Sequence, residues 1–116
     1  MAEGRLRLQG AISCKRGDRV RLGQGVFISA GCELVDDGII TLGDDVILGP
    51  GVRIIAEEGH DVTIEAGAWI GENAALRPGA HVGAGAMVCG ESVVQGDVPA
   101  NAVVEGRPAK VTWYLR

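Results

Sequence analysis

The chain has 116 residues, a formal net charge of −4 and 19 glycines, but only two Trp, one Tyr and one Phe. That length points to one domain, and the interspersed charges exclude a general nucleic-acid or anionic-membrane surface. No apolar run approaches the ~20 residues of a membrane-spanning helix, and so few rings imply an interior of thin aliphatic layers between frequent turns.

The N-terminal stretch, MAEGRLRLQGAI, has no long apolar segment, so a cytoplasmic protein is expected. Three cysteines, Cys14, Cys32 and Cys89, form no metal-like spacing. They read as small buried hydrophobes in a reducing compartment. Residues 1–15 fall outside the repeat that follows and are expected to form an N-terminal cap.

From Arg16 the chain counts in sixes. Aliphatic residues open the units at Leu22, Ile28, Leu34, Leu42, Leu48, Ile54, Ile64, Ile70, Leu76, Val82, Val88 and Val94. A second inward position carries a small or aliphatic residue, such as Val26, Cys32, Val46, Ala68, Ala80 or Ser92. Between them, the fourth position is Gly, Asn or Asp in every unlengthened unit except those opening at Arg16 and Val88. These types tolerate positive φ, as a tight corner demands. A period this short is the signature of a β-helix. Three units per coil give an all-β parallel prism over residues 16–99, a little over four coils tall, closed by a C-terminal tail at residues 100–116. Trp113, Tyr114 and Leu115 are expected in that end cap or in a subunit contact.

Two units are longer than six, LVDDGIIT from Leu34 and IIAEEGHDVT from Ile54. One full coil separates them, so their loops leave the prism at one corner, one above the other. Asp36, Asp37, Glu57, Glu58, His60 and Asp61 gather there, and His81 points outward near the same edge. Function concentrates on such loops. His60 could act as a general base toward a hydroxyl or amine, with a carboxylate orienting the ring; His81 is the alternative base. A second column, Phe27, Ile47, Trp69 and Met87, runs outward up another edge as an apolar stripe. Another subunit in a three-fold assembly, or the chain's own tail, would cover it.

The stretches VDDGIITLGDDVILGPGVRIIAEEGHD, VTIEAGAWIGENAALRPGAHVGAGAMV and DVPANAVVEGRPAKV resemble the maltose, galactoside and polysaccharide O-acetyltransferases of the hexapeptide-repeat family. The resemblance implies a left-handed parallel β-helix, a homotrimer, and acetyl-CoA as co-substrate in the cleft between adjacent prisms. It implies direct acetyl transfer to a hydroxyl or amino group of a sugar or small-molecule acceptor, with His60 as the base. It also implies Trp69 along the pantetheine arm, Ala86 at a backbone contact to the cofactor, and Arg107 and Lys110 toward the nucleotide phosphates. Asp36 and Asp37 match an acidic pair flanking the acceptor, and Glu58 joins them.

Two departures stand out. Ser29, Ala30 and Gly31 replace an acceptor-holding Asn, and the long segment that usually follows the Gly-His is missing. The alternative they favour is a non-catalytic trimeric scaffold. A zinc enzyme of the γ-class carbonic anhydrase type would need three histidines, and the chain has two. No metal is therefore expected, and neither nucleic acid nor membrane insertion.

Overall fold

The computed structural model describes residues 6–8, 10 and 12–115. Among them every regular element is a β-strand, seventeen in all, numbered here in chain order. Among the described residues no helix is long and apolar enough to cross a membrane. Sheet A stacks β1 (Leu6–Leu8), β4 (Val26–Ile28), β7 (Ile47–Leu48), β10 (Trp69–Ile70), β13 (Met87–Val88) and β16 (Ala102–Gly106). Sheet B stacks β2 (Ser13–Cys14), β5 (Glu33–Asp36), β8 (Arg53–Ala56), β11 (Ala75–Leu76) and β14 (Val93–Val94). Sheet C stacks β3 (Val20–Leu22), β6 (Ile40–Leu42), β9 (Val62–Ile64), β12 (His81–Val82) and β15 (Asp97–Val98). All these pairings are parallel, and the chain visits A, B and C in turn through about five turns.

The sixfold count explains the register. Leu34 lies under Ile54 and Leu76, and Leu42 lies under Ile64 and Val82. Both inward sets are buried from Val26 to Val98, and each large member stabilises the prism by roughly 1.5–3 kcal/mol through burial alone. Corners take left-handed backbone. Asp45, Asn73 and Asn101 adopt it as expected for their type, and so does Glu91, with φ of 66°. The stacking is tight at these corners. A Cβ on Gly71 would come within 2.5 Å of the Gly90 nitrogen on the rung above.

The prism extends beyond the expected bounds at both ends. Leu8 pairs with Ile28 and Cys14 with Leu34, so the ladder begins before Arg16, inside the stretch assigned to the cap. Arg16 opens no strand; the corner of the lowest turn runs through residues 15–19. Residues 1–5, 9 and 11 of that cap assignment lie outside the described residues. At the top, β16 forms a further parallel rung, Met87 pairing with Val103. These additions raise the expected four coils to about five.

The tail then folds back. β17 (Ala109–Tyr114) pairs antiparallel with β16 and extends sheet A at its edge. Because it continues the sheet in its own plane, the tail does not lie over the outward apolar column. Val103 adds to that column, and Trp113, 68 % exposed, stands opposite it on β17. Ala109 packs against the core, and the buried Ser92 hydroxyl accepts the Gly106 N–H at 3.2 Å. Of the cysteines, Cys32 is buried and Cys89 half-buried, whereas Cys14, on the lowest rung of sheet B among the described residues, is exposed.

Candidate active site

Loops stack three deep where sheet B turns into sheet C. Residues 15–19 lie lowest, 37–39 above them, and 57–61 on top, because Cys14, Leu34 and Ile54 align below the corner and Val20, Ile40 and Val62 align beyond it. The middle loop is pinned by Asp36. Its side chain turns inward and is fully buried, its Oδ1 accepting the Arg16 N–H at 2.7 Å and its Oδ2 those of Gly17 at 2.8 Å and Arg19 at 3.1 Å. Burial opposes ionisation of this carboxyl, but the N–H groups of Arg16, Arg19, Asp36 itself and Gly17 outweigh it and hold the pKa below the ordinary value. Asp36 is therefore a structural anchor and not the acceptor ligand expected of it: strand alternation places it on the inward face. Asp37, next along, points outward and pairs with Lys15 at 2.8 Å, while Arg19 Nη1 donates to its carbonyl at 2.8 Å.

The top loop is a tight turn on this platform. The N–H of His60 donates to the Glu57 carbonyl at 2.8 Å and that of Glu57 to the His60 carbonyl at 3.2 Å, closing the turn around Glu58 and Gly59. Gly59 supplies the positive φ, 81°. Asp61 Oδ1 accepts the Ile39 N–H at 2.9 Å and joins the two upper loops. Glu57, Glu58, His60 and Asp61 are all exposed, and the His60 ring has no hydrogen-bond partner among the described residues.

Gly38 is the residue here that sequence reasoning passed over. A Cβ on it would overlap the Glu57 carbonyl directly above, so the base of the His60 turn rests on bare backbone. Gly38→Ala must lift that turn. If His60 is the base that the sequence leads one to expect, turnover should fall roughly 10–100-fold, because misplacement by about 1 Å is costly to a base. CoA affinity should stay unchanged in an isothermal titration.

His81 lies one rung above Thr63 and one below Asp97 on the outer face of sheet C. Its Nε2 contacts the Glu65 carboxylate, and the two share an open hollow of about 260 Å³ with Asp97, Pro99 and Ala100. The histidine with a carboxylate partner is thus His81, not His60. No three His, Cys, Asp or Glu side chains converge as metal ligands among the described residues.

A different edge carries the apolar groove. Where sheet A turns into sheet B, a hollow of about 370 Å³ is lined by Pro50, Trp69, Glu72, Met87, Cys89 and the glycines 49, 71 and 90. Trp69 stands 50 % exposed in register between Ile47 and Met87, as the outward column required. Burial, and secondarily the charge of Glu105, push the Cys89 thiol pKa up, so it stays protonated. Arg107 sits near this corner, its Nε donating to the Glu91 carbonyl at 2.8 Å and its Nη2 to Glu91 Oε1 at 3.2 Å. Lys110, exposed on β17, pairs in register with Glu105. Ala86 departs from expectation. It lies on the corner between sheets C and A, with its methyl buried, its N–H given to Gly83 and its carbonyl taken by Trp69. That leaves it no free N–H for a cofactor.

His60 and Trp69 consequently sit on different corners, with sheet B between them. One prism does not bring them together.

Similarity to known proteins follows the same lines. No protein-family model matches the chain. The galactoside O-acetyltransferase of Escherichia coli is 28 % identical over 110 residues, which is 82 % of this chain and 54 % of that protein. A maltose O-acetyltransferase from Clostridium difficile superposes with a TM-score of 0.94 at 28 % identity, over 99 % of this chain and 70 % of that one. A hexapeptide-repeat acetyltransferase from Vibrio cholerae, solved in complex with acetyl coenzyme A, gives a TM-score of 0.91 at 29 % identity over 97 % of this chain and 69 % of that one. The chain spans about half the length of the curated relatives it matches. In repeat, fold and sequence alike, it resembles the hexapeptide-repeat acetyltransferases.

Proposed function

We propose that this chain is an acyltransferase moving an acetyl group from acetyl-CoA to a hydroxyl or amino group of a sugar or small-molecule acceptor, with His60 as general base. The observation that carries the reading is the His60 turn, held on two stacked loops at the edge of a prism whose structural neighbour was solved with acetyl coenzyme A.

The groove suits the co-substrate. Its glycines present bare backbone beside the Trp69 ring and the Met87 side chain, a surface fit for a slender pantetheine arm, while Arg107 and Lys110 supply positive charge toward the phosphates. Acetyl-CoA, when bound, supplies a thioester carbonyl as the electrophile. The chain's own task is to move a proton. A free nitrogen of His60 takes it from the acceptor as the acceptor oxygen or nitrogen bonds to the acyl carbon, and returns it to the departing thiolate. Glu58 and the outward Asp37 flank the acceptor and can accept its hydroxyl or amine hydrogens. A screen of hydroxyl and amino acceptors against acetyl-CoA, reading free thiol release, tests this directly. Failure of the chain to bind acetyl-CoA at millimolar concentration would instead leave a scaffold.

We further propose a cytoplasmic homotrimer. The separation of His60 from the Trp69 groove and the apolar column on sheet A both support assembly, since a neighbour's groove can meet this chain's His60 corner. The three free thiols suit a reducing compartment. Sedimentation equilibrium should return three times the 12.0 kDa chain mass; a monomer at micromolar concentration would overturn the assembly.

A further inference from the structure

Glu91 is out of place. In the corner column between sheets A and B, the rungs below it put Gly51 and Asn73 in the left-handed conformation, both types suited to it. The topmost rung puts a glutamate there, one of the two units whose fourth residue breaks the corner rule. Such a side chain stays in that conformation only where its surroundings over-determine it.

The surroundings do. Glu91 Oε2 accepts from Asn73 Nδ2 at 2.9 Å, its Oε1 from Arg107 Nη2 at 3.2 Å, and its carbonyl from Arg107 Nε at 2.8 Å. Three acceptors on one residue thus tie the hairpin turn to the rung below it. The consequence falls on Arg107. The guanidinium would otherwise swing freely on an exposed turn; here two of its nitrogens are fixed and Nη1 has no partner among the described residues. Its tether, Glu91, follows directly on Cys89 and Gly90, which line the groove.

We propose that Glu91 is a positioning residue, accepting left-handed backbone in order to aim Arg107 at an anionic group of the ligand in the groove. The inference rests on the reading of that groove as the seat of CoA, with Arg107 toward its phosphates.

The test is calorimetric titration of CoA into the wild type, Glu91→Gly, Arg107→Ala and the double variant. Glycine removes the carboxylate while suiting the backbone, so the melting temperature of Glu91→Gly should stay at or above that of the wild type. Each single variant should weaken CoA binding about three- to fivefold, the range of one solvent-exposed ionic contact. The double variant should be no weaker than either single one, because the two residues act as one device. Raising the salt concentration should shrink the difference from the wild type. An unchanged CoA affinity in Glu91→Gly, or losses that add in the double variant, would overturn the proposal. Wild-type protein that binds no CoA would remove the functional reading itself, and this inference with it; the wild-type titration separates the two cases. Should Glu91→Gly fold poorly, Arg107→Ala paired with Asn73→Ala gives the same cycle through the other end of the network.

Discussion

Changing His60 to alanine should cut acetyl transfer by roughly 10²–10⁴-fold, the usual contribution of a positioned base, and leave CoA affinity within about twofold. The two halves of that expectation come from different parts of the prism. The His60 ring sits on an exposed turn and hydrogen-bonds to no other described side chain, so its loss breaks no hydrogen bond of the core. The groove that would seat CoA lies across sheet B on another corner, lined by Trp69, Met87 and Cys89. Thiol release with a responsive acceptor measures the first half, and calorimetry the second. The companion variant His81→Ala should remain active, although His81 is the histidine with a carboxylate partner. If His81→Ala is the dead variant and His60→Ala the active one, the base has been misassigned. Equal loss of CoA binding and turnover in His60→Ala would mean that His60 holds the ligand and does not act on protons.

Asp36→Asn should destabilise the protein by about 2–4 kcal/mol and lower Tm by roughly 10 °C. Asparagine keeps the shape, but only one of its two terminal atoms can accept. With that oxygen facing Gly17 and Arg19, the amide group, buried with its side chain, meets the Arg16 N–H donor to donor. The same carboxylate predicts a pH dependence. Its pKa is depressed in the folded state, so the unfolded chain binds this proton more readily. Its contribution is complete above the ordinary aspartate value of about 3.9 and is lost as the pH falls below it toward the folded pKa. Urea titrations at pH 7 and pH 3 should therefore show the gap between wild type and Asp36→Asn narrowing in acid. A gap that is the same at both pH values would refute the ionised anchor.

The strands were readable because a prism repeats its demands: Leu34, Ile54 and Leu76 answer one requirement on three successive rungs. The same arithmetic carried Trp69 to an outward column, where the structure has it. It failed at the lower end for a definite reason. Cys14 and Leu22 are eight residues apart, so that unit too is lengthened, and counting down in sixes from Leu22 lands on Arg16 in the corner bend. The twenty-residue steps from Leu8 to Ile28 and from Cys14 to Leu34 match the step from Leu22 to Leu42, and following them would have found the lowest rung. Asp36 was misjudged because residue type alone suggests an outward carboxylate, whereas its parity along β5 turns it in. Gly38 and Glu91 matter through contacts with neighbouring rungs, which no single stretch of sequence displays.

The three loops at one corner also bear on how such a protein changes. Each strand is tied to the rungs above and below, never across the corner, so residues can be added between sheets B and C without shifting any inward side chain. This chain shows the tolerance within itself: eight residues separate Cys14 from Leu22 and Leu34 from Leu42, ten separate Ile54 from Ile64, and six separate Leu76 from Val82, yet the ladders on either side stay in register. If the His60 corner receives the acceptor, as proposed, its preference can be rewritten by loop length there while the rest of the fold, and the groove on the far edge, pass unaltered from one descendant to the next.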